Sequence, residues 1–180
     1  TEADVKNAIG GATGFGEYPN PCIISIGGKK GENGAPNIPS SVNAVIDLNG
    51  HTLTNNAEAY FFMIMDNAKV VFTDSSEENT GKVITNVDAP AVWVVGTETL
   101  VTVKDGYFQT VSEGGVMHST HGGDLVIEGG EFKTTAERTN LLIMLNSKDR
   151  QNSKFFISGV ATVTIKGGIF HGFNPSLVGD

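Results

Sequence analysis

A single cysteine, Cys22, excludes an intrachain disulfide and a zinc site built on cysteines. It lies in the apolar run "PCIISI", where a free thiol behaves as a small buried hydrophobe. Basic residues are also few. Twelve Lys and Arg against twenty Asp and Glu leave a net charge of -8, and no basic cluster or aromatic-basic stripe is present to track a phosphate backbone. Nucleic acid is therefore not an expected partner. No stretch approaches the roughly 20 apolar residues that span a bilayer, and no signal-like segment follows Thr1, so a targeting sequence is expected to have been removed or to lie upstream. Helix-favouring runs of Ala, Leu, Lys and Glu are scarce.

What is abundant is Gly, with 23 residues, together with Val, Ile, Thr and Phe in the apolar segments. That composition describes short β-strands punctuated by turns, in a length that suits one domain with its own core.

One phrase recurs. "LVTVKDGYFQT" (Leu100 to Thr110) returns as "LVIEGGEFKT" (Leu125 to Thr134) and "TVTIKGGIFHG" (Thr162 to Gly172), with weaker relatives in "AVIDLNGHTLT" (Ala44 to Thr54) and "KVVFTDSS" (Lys69 to Ser76). Aligned on Leu48, Phe72, Val103, Ile127 and Ile165, the copies are spaced 24, 31, 24 and 38 residues apart. A second apolar segment precedes each copy: "CIISI", "YFFMIM", "AVWVV", "VMHST" and "LLIML". Repetition at this period points to a solenoid. Three short strands per unit with no helix between them predict an all-β, parallel β-helix of about five coils, right-handed by the general rule for parallel crossovers.

Alternation predicts which side chains enter the core. Val101, Val103 and Phe108 point inward, while Thr102, Lys104, Tyr107 and Gln109 point outward. In-register stacking then builds one inner column from Phe108, Phe132 and Phe170, and another from Leu48, Phe72, Val103, Ile127 and Ile165. Gly106, Gly130 and Gly168 supply the positive φ that a tight corner needs. A strand follows these glycines where a phosphate cradle would need a helix.

Residues 1–20 are expected to cap the rod with a short helix carrying Val5, Ala8 and Ile9 on one face. The β-helix itself is expected over residues 21–173, with a tail over 174–180. Polar, turn-rich runs from Gly27 to Ser41, Thr73 to Lys82 and Asn146 to Lys154 read as excursions from the rod. The C-terminal end shows no comparable cap, so more chain, another domain or another subunit is expected to cover it.

With its coils laid out, the chain resembles the right-handed parallel β-helix superfamily of pectate and pectin lyases, polygalacturonases, phage tailspikes and many adhesins. "VIDLNGHTLT" is similar to a coil phrase of β-helix proteins from gut bacteria and their phages, and "GGIFHGFNPS" to a coil ending in the same group. This superfold hosts enzymes, adhesins and inert shafts alike. The lyase branch implies carboxylates gathered around Ca²⁺ with a Lys or Arg base on the first strand of each coil. Those strands here contain no Asp, Glu, Lys or Arg. The polygalacturonase branch implies an adjacent Asp pair, which this chain lacks.

The remaining polar candidates are His118 and His121 in "MHSTHGG", which lack a third metal ligand in the sequence pattern, and Asp74, Glu77 and Glu78 in a loop of Ca²⁺-friendly composition. Asp88, Asp105 and Asp124 read as turn residues. No metal, cofactor or catalytic residue is expected from these patterns. The first-strand ladder is apolar on both faces: with Phe62, Val92 and Val94 inward, Phe61, Met63, Trp93 and Ile143 point outward. Such a wall is expected to be covered, by the chain's own loops or by sister chains in a homotrimer.

The expected function is a structural and binding module of a virion fibre, spike or capsid-decorating protein, or of a bacterial adhesin. It would lie on a virion, on a cell surface or outside the cell, with a surface glycan or virion protein as partner. Trp93, Tyr107, His118 and His121 are the candidate binding residues. The alternatives are a polysaccharide lyase or glycoside hydrolase of the same superfold, and a plain spacer.

Overall fold

Short apolar-polar alternations separated by corners cannot each bury a face alone, so they stack. The computed structural model describes residues 37–38, 43–56, 61–65, 67–113, 115–136, 143–145 and 161–172. Its strands are β1 (Asn37–Ile38), β2 (Asn43–Asp47), β3 (Thr52–Asn55), β4 (Phe62–Met65), β5 (Lys69–Thr73), β6 (Lys82–Thr85), β7 (Val92–Val95), β8 (Leu100–Val103), β9 (Tyr107–Thr110), β10 (Met117–Thr120), β11 (Asp124–Ile127), β12 (Glu131–Thr134), β13 (Ile143–Leu145), β14 (Thr162–Ile165) and β15 (Ile169–Phe170).

Every third strand joins the same sheet. Sheet A runs β1-β4-β7-β10-β13, sheet B β2-β5-β8-β11-β14 and sheet C β3-β6-β9-β12-β15. All neighbours are parallel. The chain is an all-β parallel solenoid with three walls, and no helix occurs among the described residues. The coils β4–β6, β7–β9 and β10–β12 are described almost throughout, and parts of a coil are described on either side of them. The expected cap over 1–20, the run containing Cys22, the outer limits of the 21–173 rod and the tail over 174–180 lie outside the described residues.

The inner columns are those that alternation predicts. Val101, Val103, Phe108, Leu125, Ile127 and Phe132 are fully buried. Each such side chain contributes roughly 1.5–3 kcal/mol on burial. The rings of Phe108 and Phe132 stack with centroids 5.5 Å apart at 13°, and Phe132 and Phe170 repeat this at 5.2 Å and 13°. Phe72 meets Phe108 edge-on at 5.6 Å, and Phe62 meets Phe72 at 5.2 Å, so the ladder bends into the next wall.

Three details of the expected packing are corrected. Ile46, not Leu48, stands in register with Phe72, Val103, Ile127 and Ile165. Leu48 is buried two residues further on, at the corner, where it occupies the space a Cβ on Gly81 or Gly106 would enter, 2.5 Å and 2.7 Å away. Phe61 is 1% exposed and lies against Phe62 at 4.6 Å, where alternation had put it outside. In backbone register Ile143 pairs with Met117 and Met144 with His118. The segment Gly27 to Ser41, read as an excursion, contributes β1 to sheet A beside β4.

Corner glycines serve two purposes. Gly106, Gly130 and Gly168 have φ of 112°, 91° and 112°, as expected. Their neighbours Gly129 and Gly167 are needed for a different reason, because a Cβ there would collide with the carbonyl oxygens of Lys104 and Glu128 in the coil below. Backbone cannot swing aside as a side chain can. Gly129→Ala should therefore lower stability by about 1–3 kcal/mol as overpacking does, read as a shift of the urea midpoint with unchanged slope.

Candidate functional site

The outer face of sheet A is unlike the other two walls. Along β4, β7 and β10 the inward residues Phe62, Ile64, Val92, Val94, Met117 and Ser119 are fully buried. That leaves Met63, Met65, Trp93, Val95, His118 and Thr120 on the outside, all but Thr120 partly exposed. Register aligns Met63, Trp93 and His118 in one column and Met65, Val95 and Thr120 in the next. The five strands of this sheet contain no Asp, Glu, Lys or Arg.

A hydrogen-bonded group ties this surface together. Trp93 Nε1 donates to Thr120 Oγ1 at 2.7 Å across the two strands, and His121 Nδ1 lies 3.0 Å from the same hydroxyl. The indole N–H is thereby satisfied inside the protein, and the ring presents apolar surface. His121 sits at φ 56° at the end of β10 with Gly122 at 86°, so the chain turns sharply here. Ser119 Oγ closes the turn by donating to the Gly123 carbonyl at 2.7 Å. Three of the four expected binding residues, Trp93, His118 and His121, thus belong to one surface. Thr120, which links two of them, was not singled out. Its position two residues after His118, aligned with Val95, could have been read from the repeat.

Tyr107 belongs elsewhere. It stands on the outer face of sheet C in register with Lys82 and Glu131. Its hydroxyl donates to Gln109 Oε1 at 2.7 Å, and Lys82 Nζ lies 5.7 Å from its ring centroid. Burial, assisted by the charge of Glu131, pushes its phenol above the usual range. Sheets B and C carry polar ladders beside exposed apolar residues: Val45, 68% exposed, is in register with Val71, Thr102, Val126 and Thr164 on sheet B, and Ile169, 60% exposed, with Glu131 on sheet C. Lys166 pairs with Glu128 at 3.1 Å, His171 Nε2 lies 2.6 Å from Glu131, and Thr162 donates to Asp124.

Of the acidic candidates, Asp74, Asp88 and Asp105 serve corners and turns. Asp74, 6% exposed, accepts from the backbone N–H groups of Gly50 at 2.8 Å, Ser76 at 3.2 Å and Gly81 at 2.5 Å. Burial alone would raise its pKa, but these donors and the Ser76 hydroxyl overcome burial and hold it below the usual carboxylate value. Asp47 is likewise lowered, first by the Ser75 hydroxyl against a smaller opposing effect of burial, and it accepts from Ser75 N and Asn49 N at 2.9 Å and 3.0 Å. Asp88 accepts from Ser112 Oγ at 2.7 Å, and Asp105 from the Gly106 N–H at 2.8 Å. Asp124 begins strand β11 instead of standing in a turn. Among the described residues no three His, Cys, Asp or Glu side chains gather in a way that could hold a metal ion.

Comparison of the chain with models of known protein families, with curated proteins and with solved structures gives no match.

Proposed function

We propose that the chain is a non-catalytic structural and binding module, with the solenoid as scaffold and the outer face of sheet A as its working surface. The observation that carries this reading is the Met63-Trp93-His118 column, on strands without Asp, Glu, Lys or Arg, in a chain of net charge -8. Like-charged copies repel through most of their surface, and a face without charge is where they can meet at least electrostatic cost. The partner is a second copy of the chain, in a homotrimer whose rods run side by side. The assembly forms part of a fibre, spike or adhesin at a virion or cell surface, with the loops and the other walls left to contact glycan or protein.

Trp93→Lys tests this. The substitution places a charge on an outward position and leaves the core untouched, so the variant should keep its β-sheet circular dichroism. By light scattering, the native chain should have the mass of an oligomer and the variant that of a monomer. A native chain that is monomeric at high concentration contradicts the proposal. Turnover of uronate-containing or neutral glycans, abolished by a single Asp or Glu substitution, would contradict its non-catalytic part.

A further inference from the structure

Two Asn-Gly pairs occur in the sequence, Asn33-Gly34 and Asn49-Gly50, and the first lies outside the described residues. In such a pair the glycine nitrogen, with no side chain beside it, can close on the asparagine side-chain carbonyl, which makes the asparagine chemically labile. Asn49-Gly50 forms the corner between β2 and β3. Asn49 has φ 42° and Gly50 75°, and His51 N donates to Leu48 O at 2.8 Å, so the corner is a type I′ turn. Asn49 is exposed, and its amide is open to water.

The amides of this turn are all engaged. Asn49 N donates to Asp47 Oδ1 at 3.0 Å and Gly50 N to Asp74 Oδ1 at 2.8 Å. The second bond decides the chemistry, because Gly50 N is the atom that would have to react. Removing its proton would set a nitrogen anion against a carboxylate that is only 6% exposed, where like charges repel strongly. The carboxylate cannot turn away, since Oδ1 also accepts from Ser76 N at 3.2 Å and Oδ2 from Gly81 N at 2.5 Å. Gly50 itself is pressed against the next coil: a Cβ there would lie 3.2 Å from Thr80 Oγ1 and 3.3 Å from Ser76 Cβ.

We propose that Asn49 is a covalent modification site that Asp74 keeps closed in the folded chain. When the corner opens, Gly50 N gives up its proton and bonds to Asn49 Cγ, whose amide nitrogen takes up a proton and leaves as ammonia. The product is a succinimide. Water then cleaves the ring at one of its two carbonyls, giving aspartate or isoaspartate without any oxidant or reductant. Isoaspartate lengthens the backbone by a methylene beside buried Leu48, and either product adds a carboxylate next to Asp47 and Asp74. Once made, the modification opposes reclosure of the corner.

The full chain, kept in mildly alkaline buffer, is digested at intervals, and tandem mass spectrometry follows the amide-to-acid mass change at Asn49 separately from Asn33. At Asn49 the change should be at least about tenfold slower in the native chain than in the chain unfolded in urea, because reaction proceeds only from the opened corner. Asp74→Ala should speed it at least about tenfold over the native chain, the scale of a lost hydrogen bond to a charged group. Asp74→Asn, which keeps a neutral acceptor oxygen and folds more readily, should fall between. Gly129→Ala weakens the stack in a later coil and should leave the native rate unchanged. The proposal is overturned by a native chain that reacts as fast as the unfolded one, or by Asp74 variants that react no faster than the native chain. Acceleration by Gly129→Ala equal to that of Asp74→Asn would place the protection in global unfolding and overturn it as well.

Discussion

Phe108→Ala should destabilise the protein by about 3–5 kcal/mol, the range for a fully buried aromatic truncated in a close-packed core. Phe108 is 0% exposed and lies between two rings, edge-on to Phe72 at 5.6 Å and stacked on Phe132 at 5.5 Å. Alanine removes both ring contacts and opens a cavity in the middle of the stack, where coils above and below are held in register by the backbone ladders and cannot close in. A domain of ordinary stability has about 5–15 kcal/mol in total, so the variant should unfold at a much lower urea concentration or fail to fold at ambient temperature. Phe170→Ala, at the partly buried last described rung of the same column, should cost clearly less. Equal losses at the two positions would mean that the column does not share one core.

Asp74 gives the second large effect, and it depends on pH. The carboxylate collects three backbone N–H groups from Gly50, Ser76 and Gly81 at a buried corner. Its folded-state pKa is lowered, so the group contributes stability that is fully present above its unfolded value near 4 and is lost as pH falls through the lowered folded value. Asp74→Ala leaves those donors without their acceptor and should lose about 3 kcal/mol at neutral pH, since an unsatisfied buried group costs about 1–3 kcal/mol. Asp74→Asn keeps the shape and one acceptor oxygen. It should be destabilised at pH 7, and should show less further loss between pH 5 and 2 than the native chain, because the titrating group is gone. Urea unfolding of the three proteins across that range checks the sign. Parallel pH curves for native protein and Asp74→Asn would remove Asp74 from the account.

The repeat made the coil order, the inward Val101, Val103 and Phe108, and the corner glycines legible before any coordinates were known. What it left open follows from the period of a strand. Leu48 and Ile46 differ by two residues, so both satisfy alternation, and parity cannot distinguish the true register from a slip of two. Phe61 stands just before its strand, where alternation no longer governs, and packing on Phe62 decides its place. Gly129 and Gly167 owe their identity to carbonyls in the preceding coil, a contact no local pattern announces. Asp74 illustrates the same limit in polar form: a loop rich in acid and hydroxyl groups suggests an ion, while the buried corner assigns its carboxylate to backbone amides. For the candidate surface, alternation marked Trp93 and Tyr107 as outward, and the strand order separates Tyr107 on sheet C from Trp93 and His118 on sheet A.

The chain has one tryptophan, and Trp93 stands on the face in question, so its fluorescence reports that face alone. Acrylamide quenching measured against protein concentration is the most direct test of the claim that sister copies cover the outer wall of sheet A. The account predicts a shielded, blue-shifted indole at high concentration that becomes quenchable and red-shifted on dilution, in step with the loss of oligomer mass by light scattering. Quenching that stays the same over that range, in a particle of monomer mass, would contradict it.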